Sequence, residues 1–206
     1  MKQTLSFLSI LLLLTNLTQA QTEENKSLSE FSNGQVSKFS SYGQGKSQGL
    51  KIHFKYPKSW ESIEGERPHV VRKFAQSDDY VLALILVKKQ EQTFSQSEIS
   101  EVFTTDGLKS FIPSSGTYIA SNGNLKIEGL QTGSLEFTNS GLRMNREFFS
   151  YNLNYIFFYK QYFVIVQFMV INKIGETHSS VTNRYETVKP LLEQMFNSIV
   201  IDNIWE

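Results

Sequence analysis

Cysteine is missing from all 206 residues. That excludes a disulfide framework, a thiolate nucleophile, a cysteine-based metal site and a lipidated N-terminal cysteine after processing. Charge of either sign in excess is missing too. Twenty basic residues face twenty acidic ones, so no bulk electrostatic pull toward nucleic acid or anionic lipid follows. Histidine is scarce at three, and no two histidines stand at the i, i+4 spacing that puts a pair on one helix face. No Gly-x-Ser-x-Gly elbow and no phosphate-cradling glycine loop occurs. These absences predict a protein with no cofactor, no metal and no catalytic residue, and they point away from an enzyme.

Long apolar runs are confined to the first twenty residues, MKQTLSFLSILLLLTNLTQA. Lys2 supplies a positive start, Leu5 to Leu14 an apolar core, and Thr18-Gln19-Ala20 small residues before a cut, the pattern of an export signal. Ser6, Ser9, Thr15 and Asn16 interrupt the run, which is too short for a membrane anchor of about 20 apolar residues. Residues 1–20 are therefore predicted to be removed after Ala20, leaving about 186 residues, enough for one domain with a real core. The expected product is exported, periplasmic or secreted, with no stable membrane anchor. Residues 21–49 are rich in Ser, Gln and Gly without periodicity, the composition of a flexible leader. Within it Leu28, Phe31, Val36, Phe39 and Tyr42 offer docking points for a short helix or strand.

Ordered structure is expected over 50–201 as a single domain, with 202–206 as a tail. Leu50, Ile52, Phe54 and Tyr56 alternate with Lys51, His53 and Lys55, a strand ended by Pro57. His69 to Ala75 reads as a second strand. The run Tyr80 to Val87 is apolar at both parities, which predicts a central strand covered on both faces. Ser95-x-x-Glu98 announces a helix by its capping box, with Gly107 weakening its second half before an end near Phe111. The strongest helix signal joins Val181, Tyr185, Val188, Leu191, Leu192, Met195, Phe196 and Ile199 at spacings of three and four, with a kink or restart expected at Pro190. Between the helices three hairpins are predicted. Their turns are placed at Ser121-Asn122-Gly123-Asn124, at Asn139-Ser140-Gly141 and at Lys160-Gln161. Strands, helix, antiparallel strands and terminal helix in that order predict an α+β fold on a mostly antiparallel sheet.

The phrase Gly49 to Trp60, with Phe54-Lys55-Tyr56-Pro57-Lys58-Ser59-Trp60 closing a strand, resembles the PsbP/Mog1-like superfamily. Ile127-Glu128-Gly129-Leu130 before long hairpins and a last helix ending Met195-Phe196-Asn197-Ser198-Ile199 fit that resemblance from Leu50 to about Val200. The resemblance implies an α/β/α sandwich around a mostly antiparallel sheet. It also implies a role in binding or assembling other proteins, although a shared fold transfers no particular job.

Few residues stand out as sites. Tyr56-Pro57-x-x-Trp60 reads first as a strand stop with an indole sealing the core edge, and second as an aromatic ligand platform. His53 and His69 with Asp78 or Asp79 form the one metal-like grouping, without local spacing to support it; His178 falls in a loop. The aromatics from Phe148 to Phe168 are expected to fill two sheet–helix interfaces. Two helices are few for that task, and an uncovered remainder would mark a partner surface or a hydrophobic-ligand groove. The expected function is a non-enzymatic, exported binding or assembly module with a protein partner in the envelope. The alternatives are a carrier of a small hydrophobic ligand and a hydrolase with an unrecognised site.

Overall fold

A computed structural model describes residues 24–206 apart from positions 77, 79, 144 and 145. The predicted export signal and its cleavage point lie outside the described residues. The chain is α+β, with four helices and every described strand pairing antiparallel.

Helix α1 covers residues 24–32. Strands β1 (Val36–Ser40), β2 (Ile52–Pro57), β3 (Glu61–Glu64), β4 (Val70–Ala75) and β5 (Val81–Lys89) follow. After them come α2 (Gln96–Val102), α3 (Thr105–Lys109), β6 (Gly116–Ile127), β7 (Leu130–Arg143), β8 (Arg146–Tyr159), β9 (Tyr162–Ile171), α4 (His178–Asn197) and β10 (Val200–Ile201). A seven-stranded sheet runs β3-β4-β5-β9-β8-β7-β6, and a small one runs β1-β2-β10.

Alternation along the strands sorts side chains onto the two faces of the large sheet. One face carries Val81, Ala83, Ile85 and Val87 of β5, Val164, Val166, Phe168 and Val170 of β9, and Tyr151, Leu153, Tyr155 and Phe157 of β8. The apolar stripe of α4 packs on it through Val181, Tyr185, Val188, Leu191, Leu192, Met195 and Phe196. The Tyr185 ring lies flat on Tyr151 at 3.7 Å and Phe196 on Tyr155 at 3.8 Å. Eleven residues of helix span about 16 Å and four of strand about 13 Å, so α4 runs nearly along β8. The small sheet covers the same face farther over, gathering Phe39, Phe54 and Tyr56 around the fully buried Phe74 of β4. Pro190 neither ends nor restarts α4, which is one helix over His178–Asn197. Pro190 and the Glu186 it cannot serve both lie on the exposed side, where water replaces the missing donor.

The opposite face is covered only at one end. Phe103 and Leu108 of the α2–α3 pair meet Leu135, Phe137, Ile156 and Phe158 there. The Ser95 capping box forms as expected, but Thr104 caps a second short helix. A Cβ at Gly107 would sit 2.3 Å from the Glu101 carbonyl, so glycine permits the tight junction between the two helices. The expectation of a β5 covered on both faces is corrected: Leu84 and Leu86 are half-buried, because α2 and α3 sit over β6 to β9 and not over β5.

Two predicted turns are also corrected. Asn122-Gly123 lies within β6, at a register shift between Asn122 and Leu125. A Cβ on Gly123 would come within 1.9 Å of the Phe103 carbonyl, so this glycine serves the close approach of the helix pair. The turn falls instead at Glu128 and Gly129, both with positive φ, joining Ile127 to Leu130 as a two-residue loop. Likewise Asn139-Ser140-Gly141 lies inside β7, paired to Phe148, Phe149 and Ser150. The Lys160-Gln161 turn stands, with Tyr159 opposite Tyr162.

The largest departure concerns the expected leader, 21–49. Its described part holds α1, β1 and a 3₁₀ turn at Gly45–Ser47. Val36 to Ser40 pair with Pro57 to His53. Ser27, 2% exposed, accepts a hydrogen bond from the Trp60 indole, and Leu28 and Phe31 pack on the main core. The polar composition hides this because the apolar contacts are few and the Ser and Gln side chains bond locally. The expected tail, 202–206, is likewise tied down: Asp202–Ile204 form a 3₁₀ turn, and Asn203 Oδ1 accepts from the Lys51 amide at 2.7 Å.

Helix α1 is pinned near its described start by charge. Arg184, 7% exposed, makes a two-pronged contact with Glu176 at 2.9 Å, while Lys173 pairs with Asp78 at 2.9 Å. Glu24 is a third carboxylate beside these two cations, 3.7 Å from Arg184 Nε. Burial outweighs the attraction of Arg184 and Lys173 and pushes its pKa from 4.5 up to about 7. A carboxyl whose folded pKa is raised holds its proton better when folded. Its stabilising effect is therefore full below about 4.5 and is lost as pH rises to about 7. Urea melts of the wild type should show a loss of roughly 2–3 kcal/mol across that window, and Glu24→Gln should abolish the dependence. An unchanged slope in the variant would show that Glu24 is not its source.

Candidate functional site

The structure separates the histidine grouping. His53 lies on β2 of the small sheet, where its Nε2 meets Asp202 Oδ2 at 2.6 Å. His69 precedes β4, whereas Asp78 follows it and is held by Lys173. Six residues of strand place those two ends roughly 20 Å apart. Asp79 lies outside the described residues. His178 opens α4 and stacks on Phe149 at 4.0 Å. Among the described residues, no group of three or more His, Asp or Glu side chains is placed to hold a metal ion.

Trp60 is 4% exposed, packed in the main core, with its indole N–H bonded to Ser27 at 3.0 Å. A ring so enclosed offers no stacking face to a ligand. Trp60→Ala should cost roughly 3–5 kcal/mol by denaturant melting, and Trp60→Phe roughly 1 kcal/mol for the lost hydrogen bond and fit. A near-neutral alanine variant would contradict the buried role.

Chemistry gathers instead where α4 leaves the β6–β7 side of the sheet uncovered. A cleft of about 400 Å³ lies between Lys189, Glu193, Phe196 and Asn197 of α4 and the strand residues Ala120, Asn122, Leu125, Ser134, Glu136, Leu153 and Tyr155. Alternation on β7 turns Leu135 and Phe137 toward α3 and leaves Glu136, opposite Leu153, on the α4 face. Glu136 accepts from Lys189 Nζ at 2.8 Å and from the Tyr151 hydroxyl at 3.3 Å. Burial alone would lower the Lys189 pKa; the hydrogen bond and charge of Glu136, with Glu186 and Glu193 nearby, outweigh it and raise it. Burial first, then the same carboxylates, push the Tyr151, Tyr155 and Tyr185 phenols well above their usual range. All three tyrosines are therefore neutral donors at physiological pH. The Tyr185 hydroxyl, though close enough to Glu136 for its charge to matter, makes no hydrogen bond of good geometry.

Nothing in the sequence announces this site. Glu136 and Lys189 are 53 positions apart, and each sits in a pattern dominated by its own strand or helix. The one available signal was Lys189 beside the apolar stripe of α4, adjacent to buried Val188.

No family model and no curated protein matches the chain. Among solved structures, it is similar to a protein from Bacteroides thetaiotaomicron VPI-5482, at 15% identity and a TM-score of 0.44, over 81% of this chain and 48% of that one. The chain thus spans about half the length of that neighbour. Similarity at that level carries no argument about activity. Among the described residues, no helix is long and apolar enough to cross a membrane.

Proposed function

We propose that this protein is an exported, non-enzymatic binding module that recognises a protein partner through the cleft between α4 and strands β6 to β8. The observation that carries this reading is the cleft itself: an open recess whose ion pair is already satisfied, with fixed hydroxyl, amide and carboxylate groups around it. Groups held in that way suit recognition more than proton transfer, since Glu136 is engaged by both Lys189 and Tyr151. The charged lining also favours a polar partner over the small hydrophobic ligand of the carrier reading. Helices α2 and α3 on one face of the antiparallel sheet, with α4 and the small sheet on the other, support the α/β/α sandwich and the PsbP/Mog1-like assignment.

A photo-crosslinking amino acid at Asn122 or Asn197, on either lip of the cleft, tests the reading in the envelope fraction of the source cells. A control at Lys38, exposed on β1, reports nonspecific capture. The expected result is one discrete protein adduct from the cleft positions, carried by a chain that begins at Gln21. Equal capture from Lys38, or none from the cleft, would overturn it.

A further inference from the structure

We infer that the cleft is a receptor for an alkylguanidinium or alkylammonium group, presented on a basic side chain of the partner. This rests on the reading that the cleft is the recognition surface, and it adds the chemistry of what enters.

Two independent features point to it. The first is an unspent polar group. Tyr155 is 6% exposed, its ring fixed by the parallel stack on Phe196 and the edge contact with Phe168. It lines the cleft, yet its hydroxyl has no hydrogen-bond partner among the described residues. Buried hydroxyls ordinarily find a partner, and this one is fixed where only a molecule in the cleft can supply it.

The second feature is the balance of charge around that hydroxyl. Three carboxylates, Glu136, Glu186 and Glu193, act on the single ammonium of Lys189. Glu136 closes the ion pair, so Glu193 remains in the cleft wall without an ion pair among the described residues. Lys126 also lines the cleft, but it is exposed on β6, the edge strand, where solvent screens it. An anion entering here would meet Glu136 and Glu193. A guanidinium, which has only donors, would find the Glu193 carboxylate and the Tyr155 oxygen as acceptors, with Leu125 and Phe196 beside its methylene stem. A volume of about 400 Å³ is at the lower end for small-ligand pockets and suits one long side chain.

The test is an amide chemical-shift titration of the protein with Nα-acetyl-arginine amide, with Nα-acetyl-glutamate amide as the opposite-charge control. The arginine probe should shift the amides of Asn122, Ser134 and Asn197 and saturate in the millimolar range. Glu193→Gln should weaken it roughly tenfold, as loss of a charged hydrogen bond requires. Tyr155→Phe, which keeps the stack, should weaken it several-fold. Equal binding of the glutamate probe, no shifts in the cleft, or indifference to Glu193→Gln would overturn the inference. Agmatine and a blocked Gly-Thr-Arg-Thr-Gly peptide separate the sources. Tighter binding of the peptide supports a partner's side chain; tighter binding of agmatine contradicts it and assigns the site to a free amine. A cleft that crosslinks a partner but ignores the arginine probe would sink this inference alone. One that binds the probe and crosslinks nothing would sink the proposed function alone.

Discussion

Helix α4 meets the sheet through two flat ring contacts on one strand, Tyr185 on Tyr151 and Phe196 on Tyr155, and the rest of the molecule is arranged around them. Tyr185 is fully buried and Phe196 nearly so. Burying such rings contributes roughly 1.5–3 kcal/mol each, and each aromatic pair adds roughly 0.5–1.5 kcal/mol. Because both contacts fall on β8, the helix lies along that strand and cannot also cover β6 and β7. The cleft is the consequence of where α4 stops in the lateral direction. The same stack holds Tyr155 rigid, which makes its hydroxyl a fixed element of the cleft wall.

The N-terminal segment depends on this arrangement from the other side. Arg184 sits one residue before Tyr185 on α4 and is held by Glu176, so it presents a fixed cation to Glu24 of α1. Trp60 then clamps α1 through Ser27, and β1 adds itself to β2. What composition presents as a tether is therefore a strap, laid across the core edge by a small number of specific contacts. Its charge balance is incomplete at neutral pH, with three carboxylates beside two cations, which makes it the natural place for the structure to loosen first.

Much of the fold is legible in the sequence where one local pattern decides the outcome. The α4 stripe, the Ser95 capping box, the β2 alternation and the Lys160-Gln161 hairpin are of this kind. Asn122-Gly123 was misleading because glycine has two uses, and here it admits the Phe103 carbonyl instead of turning the chain. Asn139-Ser140-Gly141 was misleading because long strands tolerate turn-forming residues when both neighbours supply ladder partners. The strap was hidden by its polar composition. The cleft was not legible at all: it is made by absence of cover, and no local pattern encodes where a helix from the C-terminal end fails to reach.

Native-state hydrogen exchange tests the primacy of the α4–β8 contact most directly. If that contact organises the molecule, amides of α4, β8 and β9 should open together, with the highest free energy in the chain, and those of α1 and β1 should open earlier in a separate unit. Exchange from α4 at the level of α1, while the sheet stays closed, would contradict the account.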